Sequence, residues 1–101
     1  MKVGIYGQFY HANSGVYIEE LLNVLDEENV EVAIEENFLR LIDENNEIKK
    51  DFHHFQTFEK LDGSYDVFIS VGGDGTILQS VNFIRNRDIP ILGINTGRLG
   101  F

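Results

Sequence analysis

Cysteine is absent from the 101 residues, which excludes disulfides and thiolate-held metals. That absence suits a reducing cytoplasm. Cations are scarce as well. Eight Lys and Arg stand against seventeen Asp and Glu, a formal net charge of -9. Non-specific nucleic-acid binding needs a basic surface, so this chain is not expected to bind nucleic acid. Phosphates would have to be held by backbone N–H groups, by a few Arg or Lys, or by a divalent cation. Long hydrophobic runs are missing, and no stretch approaches the roughly 20 apolar residues of a membrane helix. Met1-Lys2-Val3-Gly4-Ile5 opens without a long apolar segment, so no signal peptide is expected. What remains is ordinary for a globular protein, with 43% hydrophobic and 25% charged residues. That is enough for one small domain with a modest core.

Read in order, apolar patterns alternate between short strands and amphipathic helices. Lys2 to Tyr6 reads as a strand, followed by Gly7 and a polar loop from Gln8 to Ser14. Ile18, Leu21, Leu22 and Leu25 recur with helical spacing, predicting a helix over Gly15 to Glu28 with Ser14 as N-cap. Glu31 to Ile34 reads as a second strand. Phe38, Leu41 and Ile42 mark a short helix from Glu36 to Glu44, closed by Asn45-Asn46. Glu47 to Asp51 reads as an exposed charged stretch. Phe52 to Phe58 fits neither period, and part of it is expected to be extended. Asp62-Gly63-Ser64 is a turn signal. Asp66 to Val71 is apolar on both faces, as a central strand covered by helices should be. Ile77, Val81 and Ile84, with Leu78 beside them, predict the buried stripe of a helix that runs to Arg85. Pro90, the one proline, prevents that helix from continuing. Ile91 to Ile94 is the next strand. Alternation of this kind implies a parallel, doubly wound α/β sheet, whose ligands bind beyond the carboxyl ends of the strands. No internal repeat, low-complexity segment or linker interrupts it.

The chain is organised around Val71-Gly72-Gly73-Asp74-Gly75-Thr76, where the strongest strand turns into a helix. Unpaired N–H groups at a helix start form a ready cradle for phosphate. Glycines allow close backbone approach. Asp74 conflicts with that picture, since a bare carboxylate repels phosphate. It makes sense with a metal ion between them, or as a group that handles a proton. The pattern is not a P-loop, because no Gly-Lys-Ser/Thr follows. It is not G-x-G-x-x-G either, because position 78 is Leu. A plainer reading is a tight turn with Asp74 as helix cap. A second loop, Asn95-Thr96-Gly97-Arg98-Leu99-Gly100-Phe101, also follows a strand directly. It could form a second wall of one cleft, with Arg98 as a cation for phosphate and Phe101 as a flat face for a base. Its plainer reading is a connecting loop.

Other polar groups have simpler readings. His53 and His54 are adjacent, so their side chains diverge and they make a poor metal site by themselves. They read as solvated. Gln8, His11 and Asn13 could line the cleft or form an ordinary loop. Asp26 to Asn29 and Glu35-Glu36 read as solvated faces. Arg85 and Arg87 flank a helix C-terminus, where cations are favoured in any case.

The two glycine loops together resemble the superfamily of NAD kinases, diacylglycerol-type lipid kinases and phosphofructokinases. Gly93-Ile94-Asn95-Thr96-Gly97-Arg98-Leu99-Gly100-Phe101 is similar to the NAD kinase version, whereas lipid kinases carry a different second motif. The resemblance implies a three-layer, mostly parallel Rossmann-like sheet with helices on both faces. It implies transfer of a phosphoryl group from ATP, or from inorganic polyphosphate, to the 2′-hydroxyl of the adenosine ribose of NAD, making NADP. It further implies a divalent cation such as magnesium, cytoplasmic residence, no membrane association and a homo-oligomeric full-length enzyme. Asp74 matches the family's catalytic aspartate. Gly73, Gly75 and Thr76 match the backbone cradle beside it, and Gly72 is counted with them among the NAD- and ATP-binding residues. Asn95 and Gly97 shape the NAD pocket with Phe101, and Arg98 belongs to the same loop. No residue is assigned as a dedicated metal ligand. The family continues with an Asn-Glu/Asp motif and a large β-rich domain, neither of which is present here. Residues 1–101 are therefore expected to be an N-terminal fragment with little or no kinase activity. A lipid kinase, or a non-catalytic nucleotide-binding module with Asp74 as a cap, are the alternatives.

Overall fold

The protein is described from a computed structural model, covering residues 1–9 and 14–96. The described residues hold five strands and three helices, with no helix between the third and fourth strands: β1 (Lys2–Gly7), α1 (Ser14–Glu27), β2 (Glu31–Glu35), α2 (Glu36–Glu44), β3 (Gln56–Phe58), β4 (Val67–Gly72), α3 (Asp74–Ile84) and β5 (Ile91–Asn95). The strands form one sheet in the order β3-β2-β1-β4-β5. Every pairing is parallel. From β1 the chain steps outward to β2 and β3. It then returns to pair β4 on the other side of β1, so strand order reverses between β1 and β4. This α/β architecture agrees with the expected doubly wound sheet.

Burial on both faces explains why β1 and β4 sit at the centre. On one face Val3, Ile5, Val32, Ile34, Ile69 and Val71 meet Ile18 and Leu22 of α1 and Phe38, Leu39 and Ile42 of α2. On the other, Tyr6, Ala33, Phe58 and Phe68 pack with Ile84 of α3 and with Leu61, Tyr65 and Ile89. Phe58, Phe68 and Phe83 form an aromatic group there, with centroids about 6 Å apart. Gly7 is needed for contact. A Cβ there would lie 2.7 Å from Phe38 Cζ and 2.8 Å from the Val71 carbonyl oxygen.

Several local expectations change. Ser14 is the first residue of α1 rather than its N-cap, and its buried hydroxyl makes no hydrogen bond among the described residues. Glu35 is not a solvated residue. It is 2% exposed and caps α2, accepting from the N–H groups of Phe38 (2.9 Å) and Asn37 (3.0 Å). In α2 the third buried residue is Leu39, while Leu41 faces outward. The stretch at Phe52 to Phe58 is part extended, as expected: β3 holds three residues, and Phe52 is buried before it. His53 and His54 are half exposed, yet both are paired, with Asp43 (2.8 Å) and Asp26 (3.1 Å). They fasten the loop before β3 to α2 and α1.

The largest correction concerns α3. It begins at Asp74, and its buried stripe is Thr76, Ser80 and Ile84. The expected stripe residues Ile77 and Val81 are 38% and 49% exposed, and Leu78 is 72% exposed. Positions four apart line either stripe equally well, so periodicity cannot choose between them. Small hydroxyl residues let the helix come close to the sheet. Their polar atoms are satisfied internally, since Ser80 Oγ donates to the Thr76 carbonyl at 2.8 Å. Close approach also shows at β5, where a Cβ on Gly93 would lie 2.9 Å from Ile77 Cδ1.

Candidate functional site

Parallel pairing brings the carboxyl ends of β1, β4 and β5 side by side. Gly7 stands opposite Val71, and Gly72 opposite Asn95. Each strand therefore delivers its following loop to one edge, at the reversal of strand order where such sheets bind ligands. Gly72 has φ 150°, a conformation that residues with a Cβ rarely adopt. This glycine turns the chain out of β4. Gly73 is the N-cap of α3 in extended conformation, with no side-chain cap hydrogen bond.

That geometry bears directly on Asp74. It is exposed, in the first turn of α3, and it is not the capping residue. As an acidic residue in the first turn it lies at the positive end of the helix dipole, which favours an anion. Gly75 follows in the same turn. Thr76 is fully buried, and its N–H donates to the Gly73 carbonyl at 3.1 Å, tightening the turn.

A polar network holds the start of α3 against the end of β1. Gln8 N–H donates to the Val71 carbonyl at 2.9 Å, carrying the chain past the end of the sheet. Thr76 Oγ1 donates to Gln8 Oε1 at 2.9 Å. Gln8 Nε2 donates to Gln79 Oε1 at 3.1 Å and to Tyr6 Oη at 3.3 Å. Tyr6 Oη also donates to Gln79 Oε1. Both ends of the Gln8 amide are thus engaged, and Asp74 is held in a fixed relation to β1. Gln8 was readable from sequence as a residue after the first strand. Tyr6 and Gln79 were not assigned a part. The available signals were strand alternation, which puts Tyr6 on the α3 face, and the three-residue spacing of Gln79 from Thr76.

The structure therefore gathers Gly72, Gly73, Asp74, Gly75, Thr76 and Asn95 at one edge. Asn95 ends β5 and is half-buried, and Thr96 after it is buried. Gly97, Arg98 and Phe101 lie outside the described residues, as do His11 and Asn13. Among the described residues, no group of three or more His, Asp or Glu is placed to hold a metal ion. Nor is any helix among them long and apolar enough to cross a membrane.

The sequence model described as the ATP-NAD kinase N-terminal domain matches residues 3–101. A protein of Christiangramia forsetii named NAD kinase is 66% identical over 101 residues, covering 100% of this chain and 34% of its own length. NAD kinases of Flavobacterium johnsoniae and Bacteroides fragilis are 46% and 36% identical, again over 100% of the chain and 34% of their lengths. The chain thus spans about a third of the curated relatives it matches. A crystal structure of yeast NADH kinase complexed with NADH superimposes with a TM-score of 0.68. It covers 99% of this chain and 31% of the yeast chain at 22% identity, a likeness of fold. With its glycine loop, its parallel sheet and a family match over nearly its whole length, the chain belongs to the ATP-NAD kinase family.

Proposed function

We propose that the full-length protein carrying this chain phosphorylates NAD at the 2′-hydroxyl of its adenosine ribose, making NADP. The donor is ATP, or inorganic polyphosphate. One observation carries the reading most directly: Asp74 stands exposed beyond the glycine turn while Gly73 takes the N-cap position. The N-cap at Gly73 favours this over the plainer reading of Asp74 as helix cap. Relatives named NAD kinase support this activity over a lipid kinase.

In the proposed reaction the 2′-oxygen attacks the terminal phosphorus of the donor and forms the new P–O bond. The bond to the leaving phosphate oxygen breaks, and ADP departs when ATP is the donor. Asp74 takes the 2′-hydroxyl proton. Backbone N–H groups at the start of α3 bind phosphate oxygens, and the Gln8–Thr76–Gln79 network keeps that start in register with β1. Phosphoryl transfer relies on such positioning and on charge neutralisation more than on covalent help. A divalent cation suits this donor set. Asp74 is the one carboxylate among the assigned site residues, and magnesium is usually held by one or two carboxylates plus substrate phosphates. When bound, the cation would neutralise phosphate charge. Asn95, Gly97, Arg98 and Phe101 are assigned to the nucleotide pocket. Cytoplasmic residence, homo-oligomeric assembly and a β-rich second domain that grips NAD complete the proposal. The 101 residues alone would then have little or no activity.

Asp74→Asn in the full-length protein is the direct test. General-base removal lowers turnover by about 10²- to 10⁴-fold. NAD binding, followed by calorimetry, should persist. Unchanged turnover would defeat the catalytic role and favour a non-catalytic nucleotide-binding module.

A further inference from the structure

At the far end of α3 from Asp74, a cavity of about 330 Å³ opens between that helix and the segment after β3. An 11-residue helix separates the two ends by about 16 Å. Lys60, Arg85 and Arg87 line the cavity, together with Glu59, Leu61 and Phe83. Three of the eight Lys and Arg of a strongly acidic chain thus converge on one hollow. Among the described residues, none of the three lies within ion-pairing distance of a carboxylate. Among the lining residues Glu59 offsets one of these charges and two remain in excess, while Asp62 lies outside the lining, near Arg87.

Arg85 is held there in a costly way. Its backbone has φ 56° and ψ -118°. The Arg87 N–H donates to the Ile84 carbonyl at 3.2 Å, closing a four-residue turn. Those angles belong to the first central residue of a type II′ turn, a position dominated by glycine. Strain of this kind clusters at ligand clamps. The helix dipole would favour any cation near this end, but it does not call for one in a left-handed conformation. Arg85 Nε donates to the Asn82 carbonyl at 3.2 Å, which fixes the head of the side chain at the cavity.

We propose that this cavity is a second binding site, separate from the glycine loop, for a small anion carrying two or three phosphate groups. Guanidinium forks suit phosphate oxygens. Leu61 and half-buried Phe83 add an apolar wall that would accept the organic part of such a molecule. The proposal does not depend on the kinase reading.

Titration calorimetry of the full-length protein with sodium pyrophosphate, and separately with uridine diphosphate, tests it. A binding event is expected that Arg85→Gly combined with Arg87→Ala weakens at least tenfold. Lys60→Glu should weaken it similarly, whereas Lys49→Ala, an exposed cation elsewhere, should leave it intact. Tighter binding of uridine diphosphate would identify a nucleotide as the natural class; equal or tighter binding of pyrophosphate would identify an inorganic phosphate. Arg85→Gly relieves the backbone strain, so the double variant should melt no lower than the parent and misfolding cannot mimic the loss. Absence of binding, or binding that the substitutions leave unaltered, overturns the proposal.

Discussion

Asp62, Glu35 and Asp74 are all acidic residues beside glycines or helix starts, and their surroundings give them three different roles. Asp62 is fully exposed in its turn, yet the Ser64 hydroxyl donates to its carboxylate, and so does the Ser64 N–H at 2.8 Å. Those two bonds, with Lys2 and Arg87 nearby, hold its pKa below the ordinary carboxylate range. A carboxylate with a depressed folded pKa contributes stability above its unfolded pKa, and that contribution is lost as pH falls through the folded value. An NMR titration of the Asp62 carboxyl should therefore inflect below the ordinary carboxylate range. Ser64→Ala should move the inflection upward. Equal inflections in the two proteins would refute the role given to Ser64. Glu35 is buried and fully engaged at a helix start, while Asp74 is exposed at another. Sequence alone showed an acidic residue in each case. What it could not show was which neighbouring N–H groups the fold would turn toward each one.

Elements add constraints that single residues do not reveal. Helix α2 follows β2 without a linker, so the last residue of the strand must also start the helix. Glu35 does both, ending β2 and accepting two N–H groups of α2. Glu35→Ala should lower unfolding stability by about 1–2 kcal/mol in denaturant melts, the range for loss of an N-cap. Glu35→Gln, which keeps an acceptor, should lose less. A neutral Glu35→Ala result would show that the cap is dispensable. Helix α3 was legible as a helix but not as to its face. Its apolar positions Ile77, Leu78 and Val81 remain partly or largely exposed, and its hydroxyl positions Thr76 and Ser80 are buried. Hydrophobicity ranks residues by their preference for the interior. It does not include the close helix–sheet approach that only small side chains permit.

For the whole molecule, the sheet order β3-β2-β1-β4-β5 decides where chemistry can occur. Reversal between β1 and β4 leaves a crevice edge, and the glycine turn lies on it. Apolar surface is also left open. Leu92 of the edge strand β5 is 53% exposed, and Leu78 and Val81 of α3 are 72% and 49% exposed. Relatives are about three times as long, since the match covers 34% of their length. The proposed reaction needs NAD held against Asp74, and the proposed β-rich domain would supply that grip. Residues 1–101 alone, incubated with magnesium, ATP and NAD, should give no NADP above background by enzymatic cycling assay. Robust NADP formation by the 101-residue chain would show that the grip is already contained here.

Local order along the chain determined much of this protein by itself. Alternating apolar patterns gave the parallel α/β class, because buried strands and half-buried helices carry different periods. The glycine run between a strand and a helix marked the site, because only a tight turn with open backbone needs such residues. Tertiary structure decided the rest. It placed Gly7, Gly72 and Asn95 together through strand register, which no local pattern encodes. It joined Tyr6, Gln8, Thr76 and Gln79, up to 73 residues apart, into one network. It also made Gly73 the helix cap, and left Asp74, the conflicting carboxylate of the glycine loop, exposed in the first turn of α3. The turn could have been closed by either residue, and only the backbone path out of β4 distinguishes them.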